Sequence, residues 1–180
     1  VWDMQLVSYG KKIISLRRQF MEELGEIIRQ IHSNLTGKKE EIWLLYEPDV
    51  EEKVFEEKLQ SAREKDLRFR VTSVGPHRDD FCVQTNGIDI RKYGSQGQQR
   101  TAALSLKMSE IYLVEKVTKD HPVLLLDDVL SELDSSRQNY LLQSIHNIQT
   151  VITCTGLDEL IENNFSIDRV FRVTEGKIDF

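Results

Sequence analysis

Two carboxylates, Asp127 and Asp128, follow the aliphatic run Val123-Leu124-Leu125-Leu126, and about thirty residues earlier Ser95-Gln96-Gly97-Gln98-Gln99 opens a long helical stretch. Four aliphatics without a polar interruption read as a strand covered on both faces. The next residue then sits at the carboxyl edge of a parallel sheet, where open α/β folds bind ligands. Asp127 at that edge can hold Mg²⁺, mostly through water, because the ion keeps much of its hydration. Asp128 points elsewhere and suits orienting or deprotonating an attacking water. The plainer alternative is a pair of acids that ends a strand and starts a loop. At Gly97 the backbone can approach a ligand with no Cβ in the way. The first N–H groups of a helix lack internal partners and carry partial positive charge, which suits a γ-phosphate. Ser95 is a candidate both for the helix N-cap and for a hydroxyl donor to such a phosphate.

The order of these pieces carries more than any one of them: small-residue turn, long helix, aliphatic strand, paired acids, then Ser131-Glu132-Leu133-Asp134. Asp134, ahead of Ser135-Ser136-Arg137, is placed to cap the next helix whatever else it does. No G-x-x-x-x-G-K-[S/T] phosphate loop occurs in the 180 residues. The residues for γ-phosphate and metal chemistry are therefore present without a phosphate cradle, and the expectation is a C-terminal piece of a longer ATPase.

The elements that must position these residues are partly legible. Ile13, Leu16, Phe20, Leu24, Ile27 and Ile31 recur at spacings of three and four, with Ile14, Met21 and Ile28 alongside. They predict one long helix from Trp2 to the turn formers at Ser33–Gly37. Ile42–Tyr46 is a strand candidate, and Pro48-Asp49 opens a second amphipathic helix through Val50, Val54, Phe55, Leu59 and Ala62. A boundary is expected near Asp66, giving a mainly helical lobe over 1–66 and an α/β part over 67–180. Beyond it, alternating Leu67, Phe69 and Val71 predict a strand. Phe81, Val83 and Thr85 pair across an Asn86-Gly87 turn with Ile88 and Ile90, because both central residues of a type I′ turn need φ > 0. A helix from Gln96 to Val117 follows, then the strand Val123–Leu126 and a helix from Ser135 to His146. A strand at Val151–Thr153, a short helix over Leu157–Glu162 and a hairpin from Val170 to Ile178 through Glu175-Gly176 complete the pattern.

Composition bounds the class without choosing the function. At 39% hydrophobic and 30% charged, the chain is in the range of ordinary globular domains. No apolar run approaches the roughly 20 residues of a membrane span, and no signal peptide is evident, so the cytoplasm is the expected location. Cys82 and Cys154 have neither the number nor the spacing of a disulfide framework or zinc site, and both are expected as buried thiols. The net charge of −6 divides into −1 over residues 1–70 and −5 over 71–180. Any nucleic-acid contact would then use local groups such as Lys11, Lys12, Arg17, Arg18, Lys38 and Lys39, which otherwise read as solvated charges. His77 and Arg78, following Gly75-Pro76, read either as a polar anchor between helical part and sheet or as DNA or nucleotide contacts.

Together, Gly75-Pro76-His77-Arg78-Asp79-Asp80, the Asn86-Gly87 hairpin, Tyr93-Gly94-Ser95-Gln96-Gly97-Gln98-Gln99-Arg100 and Leu124–Asp134 resemble the RecF family of bacterial recombination mediators, whose ATPase heads are of the ABC type. The likeness is strongest over residues 70–180. The GPHRDD segment is its most specific element, since chromosome-maintenance and Rad50 heads share only the later motifs. The resemblance implies the α/β fold of the C-terminal half of an ABC-type head preceded by a helical lobe. It implies ATP and Mg²⁺ as cofactors and an ATP-dependent homodimer. It also implies action on DNA at single-strand/double-strand junctions with RecO and RecR, in RecA loading, replication and the SOS response. By motif, Ser95, Gln96, Gly97, Gln98 and Gln99 would contact the partner's ATP, Asp127 would hold the metal, Asp128 would activate water, and Ser131 and Asp134 would belong to the D-loop.

Two departures from the ABC pattern bear on rate. Position 128 is Asp where many such ATPases have Glu, and Thr153-Cys154-Thr155 stands where a switch histidine is common. Slow turnover is expected from both, a timer of DNA release and not a motor. The alternatives are a related chromosome-maintenance head, a metal-dependent nuclease using Asp127, Asp128, Glu132 and Asp134, and a non-enzymatic partner-binding domain.

Overall fold

The computed structural model describes residues 2–145, 147–155 and 167–179. The chain divides into two compact units, residues 1–122 and 123–180.

The first unit is organised by α1 (Trp2–Leu35). Its buried face is Gly10, Ile14, Leu24, Ile28, Ile31, His32 and Leu35. The broad apolar stripe of the sequence is therefore split. Ile13, Leu16 and Phe20 face outward and continue an exposed row through Trp2, Leu6 and Tyr9. β1 (Ile42–Glu47) pairs antiparallel with β2 (Asp80–Thr85), from Ile42 opposite Thr85 to Glu47 opposite Asp80. β3 (Ile88–Asp89) returns across Asn86 and Gly87, whose φ values of 51° and 79° are the left-handed pair that the hairpin requires. Ile90, expected as a strand residue, instead starts the one-turn helix α3 (Ile90–Tyr93), capped by the Asp89 carboxylate.

The expected boundary at Asp66 falls inside a helix. A 3₁₀ turn at Glu52–Val54 leads into α2 (Phe55–Phe69), which starts later than Pro48-Asp49 suggested and runs through the segment expected as a strand. No breaker interrupts Ser61–Lys65, so the helix runs on through Leu67 and Phe69 despite their two-residue alternation with Val71; all three are exposed. Arg70, at φ 56°, ends it with its N–H bonded to the Asp66 carbonyl, and the Asp66 carboxylate accepts from Ser73 N–H. Residues before and after 66 are further joined by the β1–β2 ladder and by the packing of α1 along α4 (Gln96–Thr118). The unit consequently ends at Pro122.

Two apolar clusters hold this unit together. Ile14, Val50, Phe55 and Leu59 join α1 to α2, and Ile28, Ile42, Ile90 and Ala102 join α1, β1, α3 and α4. Phe55 is fully buried, worth roughly 1.5–3 kcal/mol. It lies against Gly10, where an added Cβ would press on its ring.

In the second unit β4 (Leu124–Asp127) runs parallel to β5 (Thr150–Thr153), with Asp127 opposite Thr153, and α5 (Ser135–Ser144) connects them. Leu126, Leu141, Leu142 and Ile145 are buried, whereas Leu125 is 71% exposed. The expected burial of β4 on both faces is thus not met among the described residues. A hairpin, β6 (Arg172–Thr174) and β7 (Lys177–Asp179), turns through Glu175 and Gly176. The helix expected at Leu157–Glu162 lies outside the described residues. Cys82 is buried as expected, but Cys154, just past the end of β5, is exposed. No helix among the described residues is long and apolar enough to cross a membrane.

Candidate functional site

The first turn of α4 is built from side chains that close on their own backbone. Ser95 Oγ accepts from Gln98 N–H at 3.3 Å, and Gln98 Oε1 accepts from Ser95 N–H at 3.0 Å, a reciprocal capping box. Gln98 is held from the other end as well. Its Nε2 donates to Glu40 Oε1 at 3.1 Å, and Glu40 Oε2 lies 3.3 Å from Nε2 of the fully buried His32, whose Nδ1 lies 2.9 Å from Ser105 Oγ. Gln99 turns back and donates to the carbonyls of Ile90 at 3.0 Å and Gly94 at 3.3 Å. Gln98 and Gln99 thus tie the turn to the body of the unit. Ser95, Gln96 and Gly97 are left exposed, with no atom within 4 Å of where a Cβ on Gly97 would stand. The capping role of Ser95 is satisfied within the fold, and its hydroxyl proton remains free to point outward.

At the end of β4, Asp127 and Asp128 are exposed. Thr153 Oγ1 donates to Asp127 Oδ1 at 2.5 Å. Asp128 adopts φ 51°, and its N–H is shared between the Thr153 carbonyl at 3.2 Å and Thr153 Oγ1 at 3.1 Å. Ser131 Oγ donates to the Asp128 carbonyl at 2.8 Å. The Asp127 carboxylate is thus engaged through one oxygen, and Asp128 is engaged through its backbone N–H and carbonyl. Asp134 caps α5, accepting from Arg137 N–H at 3.0 Å and pairing with the Arg137 guanidinium. An exposed carboxylate with one oxygen already oriented fits a hydrated Mg²⁺, whose remaining ligands would be water and phosphate. Among the described residues no three His, Cys, Asp or Glu side chains converge to hold a metal by themselves. Ser95–Gln99 and Asp127–Asp134 belong to different compact units.

Against known proteins, no family model matches the chain. It is 58% identical over 179 residues to the DNA replication and repair protein RecF of Agathobacter rectalis, covering 99% of this chain and 49% of that one. The corresponding protein of Lachnoclostridium phytofermentans is 54% identical over 179 residues, covering 99% and 50%. The chain belongs to the RecF family. It spans about half the length of the curated relatives it matches. Two solved structures, described as the recombination mediator protein RecF-ATP and RecF-ATPrS in the RecFOR pathway, are similar to it. Their TM-scores are 0.84 and 0.81, each at 36% identity, over 99% and 98% of this chain and 50% and 48% of theirs. The expected fold class, part of a RecF-type ABC ATPase, is thereby established.

In this RecF chain the most specific motif turns on a residue that the sequence did not single out. The Asp79 carboxylate, 3% exposed, accepts from Tyr46 O–H at 2.5 Å, Arg17 Nη1 at 2.9 Å and Asp49 N–H at 3.1 Å. Arg17 also donates to the Pro76 carbonyl, and Asp49 accepts from Gly75 N–H at 3.0 Å. Asp79 thus clamps α1, β1 and the loop after β1 to the start of β2. Burial pushes the Tyr46 phenol well above its ordinary pKa, and the hydrogen bond to Asp79 adds to the shift. His77 Nε2 lies 2.8 Å from the Thr72 carbonyl, and Arg78 lies 3.6 Å from Asp49, so both serve the anchor. A signal was present in the sequence: an acid next to a basic pair after Gly-Pro, with Arg17 on a helix that must pack somewhere. Of the basic groups singled out for DNA, Arg17 is bound by Asp79, Arg18 pairs with Glu51 at 2.7 Å, Lys11 reaches Glu56 at 4.0 Å and Lys12 lies over Tyr9.

Proposed function

We propose that the chain is the part of a RecF-type ATPase that supplies the signature turn and the metal-binding and water-activating carboxylates. In the whole protein two such chains close on ATP, with Ser95, Gln96 and Gly97 reaching the partner's γ-phosphate and Gln98 and Gln99 bracing the turn that presents them. Asp127 orders Mg²⁺, Asp128 activates water, and Ser131 and Asp134 line the crossing loop. The protein acts in the cytoplasm on DNA at single-strand/double-strand junctions, with RecO and RecR, in RecA loading, replication and the SOS response. The exposed first turn of α4 carries this reading. Its cap is satisfied internally, its glycine is open to approach, and the N–H groups of Gln96 and Gly97 lie in the first turn, where a helix offers no internal acceptor. Relatives solved with ATP and ATPrS support a nucleotide as the ligand. The positive-φ Asp128, shorter than the glutamate of many ABC heads, supports slow hydrolysis that times release from DNA.

The test is sedimentation of the full-length protein with and without ATP, beside its Ser95→Arg variant. ATP should drive dimer formation in the first and not the second, while both still bind nucleotide. Association indifferent to ATP and to the substitution would reduce the turn to a helix cap.

A further inference from the structure

We propose that Thr153 is a positioning residue for the Asp127–Asp128 pair, one hydroxyl setting both the carboxylate that orders the metal and the backbone that aims the water-activating acid. This rests on the metal and water roles proposed above. Thr153 is the register partner of Asp127 at the carboxyl end of the parallel pair, so its side chain emerges beside the two acids and not elsewhere on the sheet. A hydroxyl has one proton and two lone pairs. Here the proton goes to Asp127 Oδ1 at 2.5 Å, and a lone pair takes the Asp128 N–H at 3.1 Å. The donor side fixes the Asp127 rotamer and leaves the second carboxylate oxygen for a hydrated cation. The acceptor side joins the Thr153 carbonyl, which takes the same N–H at 3.2 Å, in holding Asp128 in the left-handed region, φ 51°, a conformation that aspartate enters at less cost than most residues with a Cβ. Ser131 holds the same residue from its carbonyl. The Asp128 peptide is thus gripped on both sides, and only its exposed carboxylate is free to turn toward a water.

This assigns a task to the first residue of the Thr153-Cys154-Thr155 stretch, which stands where a switch histidine is common. The threonine hydroxyl reaches the two acids at the end of the neighbouring strand. Thr153 therefore acts on the metal end of the reaction through Asp127 and Asp128, and touches neither water nor phosphate itself.

The experiment uses the full-length protein with Thr153→Val, Thr153→Ser and, as the reference loss, Asp127→Asn. Mn²⁺ uptake by the ATP-bound protein is followed by electron paramagnetic resonance, and binding of a fluorescent ATP analogue is measured in EDTA. Thr153→Val keeps the shape and strand preference of threonine. It should raise the half-saturating Mn²⁺ concentration about tenfold, the lower end of what losing a group behind a metal ligand costs. Metal-free nucleotide binding should stay unchanged, and Thr153→Ser should restore wild-type uptake. Wild-type uptake by Thr153→Val, or a serine variant as impaired as the valine, would overturn the proposal while leaving the metal role of Asp127 standing. Undiminished uptake by Asp127→Asn would remove that role and the proposal with it.

Discussion

Removing the Tyr46–Asp79 contact tests whether the Gly75–Asp80 segment is held as an anchor. The carboxylate is almost wholly enclosed, and the phenol is partly buried, so their bond is charge-assisted and poorly replaced by water. Such bonds contribute about 1.5–3 kcal/mol. The Arg17 guanidinium is 46% exposed and recovers hydration when freed, so its pair is worth under ~1 kcal/mol. The Asp49 N–H adds about 1 kcal/mol. With allowance for shared partners, Asp79→Ala should destabilise the chain by about 3 kcal/mol and Tyr46→Phe by about 1.5 kcal/mol. The double variant should cost less than the two singles together, leaving a coupling of about 1.5 kcal/mol. Urea unfolding followed by tryptophan fluorescence, with Trp43 in β1 as the local reporter, gives all four corners of the cycle. A coupling within ~0.3 kcal/mol of zero would mean that phenol and carboxylate are merely neighbours, and the anchor argument would fail. The same pair predicts an alkaline limit. Because folding raises the Tyr46 pKa, the neutral phenol stabilises the fold fully below the unfolded value of ~10, and that contribution is lost as pH rises through the folded value. Wild type should therefore lose stability above about pH 10. Tyr46→Phe should lose less over that range.

On the acid side the sign reverses. The Arg91 hydrogen bond holds Asp80, and the Lys92 hydrogen bond holds Asp89, below the usual carboxylate range. Their contribution should persist above about pH 4 and fade as pH drops through the folded values, which carboxyl chemical shifts in an NMR titration would register. Gly10→Ala should destabilise by about 1–3 kcal/mol in a thermal melt despite alanine's better helix propensity, because the new methyl meets the Phe55 ring inside a filled core. His32→Ala removes a fully buried ring together with its contacts to Ser105 and Glu40, so a loss of about 3 kcal/mol is expected in urea unfolding. Gly97→Ala separates fold from function. Nothing stands near the new Cβ, so Tm should hold or rise slightly, while ATP-driven dimerisation of the full-length protein should weaken.

The sequence revealed most where one local rule dominated. The Asn86-Gly87 hairpin, the Ser95 cap, the Asp134 cap and the aliphatic strand before Asp127 each follow from a few adjacent residues, and each is in place. It misled where two periodicities competed. Leu67, Phe69 and Val71 alternate like a strand, but an unbroken helix arriving from Phe55 overrode a three-residue pattern. The stripe of α1 looked like one face because spacings of three and four fit two adjacent faces, and only packing against α2 and α4 chose Ile14 over Ile13. Asp79 and Thr153 were not legible as contacts, since each acts on residues 25 or more positions away. The expected break after Asp66 followed a change of composition, whereas the compact units follow strand pairing and helix packing.

The Asn86-Gly87 turn also sets how this protein ages. An asparagine followed by glycine is chemically fragile, because the glycine amide nitrogen, unhindered by any side chain, can attack the asparagine carbonyl and close a succinimide. In the folded hairpin the side-chain amide oxygen Oδ1 of Asn86 accepts from Glu41 N–H at 3.0 Å, and both turn residues are at positive φ. The folded hairpin withholds the attacking geometry, and the open one releases it. Isoaspartate at position 86, read by peptide mapping, would therefore accumulate as a record of how often the hairpin has opened. A variant that loosens β2 should acquire it sooner than one altered at the edge of β4.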